Sequence, residues 1–252
     1  MSKLFAVVVA VLTVLVGWIP SVQAQQAQDK GAPVEFFACN WQDGKGMADL
    51  EKVNKKFVAW VAKNDAKYSA WILTPQLHAG VDFDVGWLGG WPDAVSFGKG
   101  QDAWMSGGRE LAAEFANVMD CSAGHQMATS VVITAPDSPP GNGVVMFSEC
   151  TMQEGKMPNE AVAAHREVGK AMKGMGSKAS SWLFYPGIGA GNIDFHYWSV
   201  IAFKNYSEMG VSQEMYINGG GWSKAMSILA PVSRCRSPEL YDVRLVRNGA
   251  SS

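Results

Sequence analysis

Histidine is the side chain that ordinarily ionises near neutrality, so the four present, His78, His125, His165 and His196, are the first candidates for moving a proton. His165 lies in a stretch with apolar residues at helical spacing, where a neutral imidazole would serve as a base or a metal ligand. His196 follows Asp194-Phe195 in a strand-like run, and Asp84 follows Phe83 in an earlier one. Brought together from symmetry-related strands, the two would form an acid/base pair. Structural readings stand beside these. His165 is equally a buried polar residue satisfying nearby backbone, and Asp84 and His196 are equally two independent residues at strand edges. His78 and His125 fall in or beside loops and are expected in solvent.

Other chemistries lack their patterns. There is no nucleophile elbow, Walker loop, dinucleotide fingerprint or closely spaced metal-ligand set. Gly219-Gly220-Gly221 lacks the strand context of a phosphate cradle and reads as a helix terminator or hinge. No metal and no cofactor is expected.

The elements that position these residues come in two copies. An offset of 111 lays Cys39 on Cys150, Gly44-Lys45 on Gly155-Lys156, Trp71 on Trp182 and Pro75 on Pro186. A small drift then brings Asp82-Phe83 onto Asp194-Phe195 and Cys121 onto Cys235. A duplication explains several residue types at one constant offset. Turn formers between Ala135 and Gly143 read as a linker. The expected division is therefore a signal over 1–24, a first repeat over 33–134, a linker over 135–143 and a second repeat over 144–247.

Each copy reads as strand, Gly-Lys turn, helix, two strands, a segment with helical character and a last strand. In the first copy these fall at residues 34–41, 47–63, 69–74, 83–91, 110–119 and 126–134. The helix has Leu50, Val53, Phe57 and Val61 at helical spacing. The order βαββαβ is the ferredoxin-like unit, so the fold class is α+β with two tandem repeats. Within the helical stripes the offset places Asn54 on His165, one inward polar residue per copy and a candidate ligand contact. Trp71, Trp87, Trp182 and Trp198 lie on central strands, where they fill a core or line a pocket for a flat ligand. Trp87-Leu88-Gly89-Gly90-Trp91-Pro92 suggests a bend or a close backbone approach.

Residues 1–24 have the form of a secretory signal: Lys3, an apolar run over residues 4–16, Pro20, and small residues before a cleavage expected after Ala24. An uncleaved membrane anchor is the rival reading. Losing this segment removes one lysine and moves the net charge from −2 to −3. That balance offers no footprint for nucleic acid. The mature protein is expected in the periplasm or outside the cell, with no stable membrane insertion. Four cysteines in such a compartment invite disulfides, and three connectivities are possible. In the usual strand arrangement of the ferredoxin-like unit the first and last strands are antiparallel neighbours, which selects Cys39–Cys121 and Cys150–Cys235.

Two ferredoxin-like units with a Gly-Lys turn and aromatic-rich central strands resemble the dimeric α/β barrel superfamily in its fused, tandem form, over residues 33–247. The resemblance implies antiparallel sheets packed face to face as a pseudo-dimeric barrel with helices outside. Members include cofactor-free monooxygenases acting on aromatic compounds, haem-degrading or haem-using enzymes, isomerases and stress-induced proteins. No subfamily signature carries over residue by residue. The expected function is an exported small-molecule-binding protein of the cell envelope, for an apolar or aromatic ligand. The alternative is a cofactor-independent monooxygenase-like enzyme on an aromatic or lipid-like substrate, with His165 or His196 moving a proton. Haem binding, with one of those histidines as axial ligand, is a third reading, and an interaction role through exposed aromatics is a fourth.

Overall fold

Apolar residues three and four apart form the buried stripe of the first helix, α1 (Met47–Lys63), with Leu50, Val53, Phe57 and Val61 all against the sheet. The structure is a computed structural model that describes residues 30–249, so the expected signal lies outside the described residues. The first half runs β1 (Ala32–Trp41), α1, β2 (Ser69–Leu77), β3 (Val85–Gly90), α2 (Ala94–Gly107), α3 (Arg109–Ala116) and β4 (Met119–Thr134). The second runs β5 (Gly143–Met152), α4 (Pro158–Gly174), β6 (Ser180–Pro186), β7 (Tyr197–Phe203), α5 (Tyr206–Ile217), α6 (Gly221–Leu229), β8 (Ser233–Cys235) and β9 (Glu239–Arg247). Gly44 and Gly155, at φ +68° and +75°, make the two equivalent turns out of β1 and β5.

Three elements depart from the sequence reading. Helix α2 is absent from it because Gly98 and Gly100 break its propensity. The Asp93 side chain nevertheless starts it by accepting from the Ser96 N–H at 2.7 Å. Helix α5 shows no apolar stripe and buries only Ser212. Strand β4 starts at Met119, where helical character was expected to persist. Its early part pairs with the end of β1 beyond a bulge between Ala38 and Asn40. In the second half the same stretch is divided into β8 and β9, and Pro238, which has no N–H to give, lies in the break.

Each half has the antiparallel strand order of the ferredoxin-like unit, β4-β1-β3-β2 and β9-β5-β7-β6. Pairing of β2 with β9 and of β4 with β6 joins the halves into one closed ring of eight strands. Alternation then sends one set of side chains into the barrel and the other under the helices. Leu73, Val145, Phe184, Val200 and Tyr241 pack inside, while Cys39, Ile72, Val85 and Trp87 pack outside against α1 and α3.

The disulfides are Cys39–Cys121 and Cys150–Cys235, each joining neighbouring strands across more than 80 residues of sequence. By chain entropy each contributes about 4 kcal/mol. Among the described residues no helix is long and apolar enough to cross a membrane.

Candidate functional site

Asp84 and His196 do not meet. Each holds the end of its own repeat's first strand: Asp84 Oδ2 accepts from the Trp41 N–H and His196 Nδ1 from the Met152 N–H, both at 2.9 Å. Their own N–H groups donate to Cys39 O and Cys150 O. An aspartate and a histidine thus fill one structural role in the two copies.

Asn54 and His165 are both buried in the helical stripe, as their spacing requires. His165 Nε2 lies 3.0 Å from the Tyr197 hydroxyl, which donates to Ser233 Oγ at 2.8 Å. Burial alone pushes the imidazole pKa down to about 4. The strand registers put Val85 and Met119 where Tyr197 and Ser233 stand, and Asn54 Oδ1 is left with no hydrogen-bond partner. His165 also comes within 4.8 Å of the sulfurs of Cys150 and Cys235, but their bond to each other removes the thiolates a metal would need. Among the described residues, neither Asn54 nor His165 lines either of the two cavities that hold the tryptophans.

The tryptophans divide between two cavities. Trp71 and Trp182 face the barrel lumen and line a cavity of about 1320 Å³ whose lining also includes Lys30, Lys67, Lys178 and Lys204. Trp198 packs inside the same barrel. Trp87 points the other way, into a cavity of about 550 Å³ between the first repeat's sheet and its helices.

That second cavity gathers residues the sequence reading did not join. Phe57, Trp60, Trp87, Trp104 and Phe115 form its aromatic wall, with Phe57 edge-on to Trp87, Trp104 and Phe115. In this wall stands Glu35, 5% exposed. Tyr68 Oη donates to Glu35 Oε1 at 2.7 Å, the Trp87 indole N–H donates to Tyr68 Oη at 2.7 Å, and His125 Nε2 lies 3.2 Å from Glu35 Oε2. Burial first, then the Glu35 carboxylate, raises the Tyr68 hydroxyl well above a phenol's ordinary pKa, so it stays protonated and donates. His125 has a half-exposed side chain and stacks on Phe37 at 3.7 Å. The buried Trp91 indole N–H has no partner and lies beside Gly100, also on this wall.

Gly89 explains why Tyr68 can reach Glu35: a Cβ there would lie 2.0 Å from Tyr68 Oη. At the matching places of the second repeat stand Met146 for Glu35, Ala179 for Tyr68, Ser199 for Trp87 and Ile201 for Gly89. Met146, Ala179, Ile201 and Met209 pack together there as core. The cavity with its carboxylate thus belongs to the first repeat.

No family model matches the chain, and no curated protein matches it. Among solved structures it is similar to a candidate monooxygenase from Fusobacterium nucleatum subsp. nucleatum. The TM-score is 0.54 at 10% identity, over 86% of this chain and 92% of that one. A variant chlorite dismutase from Candidatus Nitrospira defluvii gives 0.50 at 9% identity, over 87% and 93%. A haem-binding protein from Thermus thermophilus gives 0.47 at 13% identity, over 84% and 91%. The closed eight-stranded ring, its two βαββαβ halves and the first two of these neighbours identify the chain's fold as the dimeric α/β barrel in fused, tandem form.

Proposed function

We propose that this is an exported small-molecule-binding protein whose ligand, a flat aromatic or apolar molecule, occupies the first repeat's cavity between sheet and helices. One observation carries the reading: a buried carboxylate, Glu35, held by Tyr68 and His125 in an otherwise aromatic wall. Convergent polar groups in an apolar cavity of this size are the usual form of a ligand site. The barrel lumen is larger, but among its described lining residues no ionisable group is buried. Export is supported by the signal-like residues 1–24 and the two disulfides.

The neutral fluorophore N-phenyl-1-naphthylamine tests the site. One equivalent is expected to bind with enhanced fluorescence. Ala112→Phe, which fills the cavity, should abolish this, and Ala202→Phe in the lumen should leave it unchanged. Binding lost only in the lumen variant, or no binding at all, would sink the proposal.

A monooxygenase-like enzyme is the second reading, favoured by the contact between Glu35 and His125. A proton taken by the buried carboxylate has a half-exposed imidazole through which to leave, a role the geometry supports for neither His165 nor His196. The fold shared with the Fusobacterium candidate monooxygenase is compatible with it. Loss of oxygen consumption on an aromatic substrate in Glu35→Gln, with the substrate still bound, would distinguish catalysis from storage.

Haem, which the Thermus neighbour is described as binding, does not suit this cavity. Among the described residues the wall has no lysine or arginine to pair with haem's propionates, only the carboxylates Glu35 and Asp120, and His125 Nε2 is already directed at Glu35. Haemin is expected not to displace N-phenyl-1-naphthylamine from this cavity.

A further inference from the structure

Among the described residues, the permanently charged side chains lining the first repeat's cavity are of one sign. Among the described residues its wall contains two carboxylates, Glu35 and Asp120, and no lysine or arginine. Asp120 is exposed and accepts from the Ser122 N–H at 2.9 Å, whereas Glu35 is sealed in the wall. Burying a carboxylate is costly unless something offsets it. Tyr68 supplies a neutral hydrogen bond and His125 a second contact from its half-exposed position, so no permanent cation inside the wall balances Glu35. A carboxylate offers about four acceptor sites and two of these are in use.

The aromatic wall adds to the same field. The faces of tryptophan and phenylalanine rings carry partial negative charge, strongest for tryptophan, and attract cations once water is excluded. Phe57 is turned by 75° to 84° from Trp87, Trp104 and Phe115, so neighbouring rings offer the enclosed space faces as well as edges. Carboxylate and rings together disfavour an anion and reward a positive charge. A compact ammonium or guanidinium would lose much hydration on entering so apolar a space, whereas a substituted ammonium spreads its charge over methyl groups that pack on rings. The second repeat provides an internal contrast, because Met146, Ala179 and Ile201 make the matching place uncharged and apolar.

We propose that the cavity selects an organic cation, an alkylated or quaternary ammonium carrying an apolar group, with Glu35 as counter-ion and the tryptophan-rich wall as its cage. This rests on the reading of the cavity as a small-molecule site and adds the class of ligand.

Three probes of one shape and different charge test it by isothermal titration calorimetry on the purified protein: benzyltrimethylammonium, its carbon isostere neopentylbenzene, and phenylmethanesulfonate. The cation is expected to bind about tenfold or more tighter than the neutral isostere, with the anion weakest. Glu35→Gln, which retains an acceptor for Tyr68, should erase that preference, and Ala112→Phe should abolish binding. Equal or tighter binding of the neutral or anionic probe, still lost in Ala112→Phe, overturns the cation proposal and leaves the small-molecule site standing. Cation preference that survives Glu35→Gln overturns the counter-ion role. Failure of all three probes to bind overturns the proposal and the site together. Should Glu35→Gln not fold, the ranking of the probes on the unaltered protein still decides.

Discussion

Tyr68 donates its hydroxyl to Glu35 across 2.7 Å, and in doing so ties the entry of β2 to the outward face of β1 beneath the helices. The same oxygen accepts from Trp87, so one hydroxyl satisfies two buried groups. Tyr68→Phe leaves both without that partner. Destabilisation of about 3 kcal/mol is expected, since a buried acceptor and a buried donor are stranded together. Tyr185→Phe is the control, because that hydroxyl reaches only Pro158 O at 3.1 Å near the surface, and its loss should cost about 1 kcal/mol or less. Urea unfolding of the two variants decides. Equal losses would mean that the Tyr68 contacts carry no special weight.

Gly89 is required by Tyr68, and the dependence is mutual. A methyl group at position 89 would overlap the Tyr68 hydroxyl, so Gly89→Ala is expected to displace the ring, release Glu35 and cost about 2 kcal/mol. Removing the ring first should remove the conflict. In a double-mutant cycle with Tyr68→Ala, the cost of Gly89→Ala should fall to near zero. An undiminished cost would place the strain elsewhere.

The architecture was open to reading in the sequence because duplication and alternation are periodic signals. The offset that matches Trp71 with Trp182 also matches the cysteines, and the α1 stripe follows from spacing alone. The cavity obeys no such period. Glu35 stands in Val34-Glu35-Phe36-Phe37, and a charge in a strand covered on both faces is the one local signal that pointed to it. Comparison of the copies singled out Asn54 and His165 because a polar pair is conspicuous. The substitutions that open the cavity, Met146 against Glu35 and Ile201 against Gly89, read as ordinary strand variation. His125 was expected in solvent and is exposed there, yet the early start of β4 also puts it opposite Phe37 in register, against Phe37 and Glu35. Glycines in α2 concealed the helix that carries Trp104.

His165 makes stability depend on pH. Its pKa is about 4 in the folded protein against about 6.5 in the unfolded chain. Between those values the unfolded chain binds a proton that the folded protein refuses, so stability falls as pH drops through the window. By pH 4 the loss from this group approaches about 3 kcal/mol. Urea midpoints measured from pH 7 to pH 4.5 should decline, and the decline should be shallower in His165→Gln. Parallel slopes in the two proteins would show that His165 is not the group responsible.

Asp84 and His196 provide the last test, because they do one job with different chemistry. Each closes the end of a repeat's first strand by accepting a backbone N–H at 2.9 Å, and neither lines the 550 Å³ cavity. Asp84→Ala and His196→Ala are each expected to cost about 1 kcal/mol, the ordinary net worth of one such bond. They share no partner, so the double variant should lose the sum to within about 0.5 kcal/mol. Binding of N-phenyl-1-naphthylamine should be unchanged in all three variants. If Asp84 and His196 instead acted as an acid/base pair, the two single variants would lose activity alike and the double variant would lose no more than either. Strict additivity in stability together with intact binding therefore separates two strand clamps from one catalytic pair.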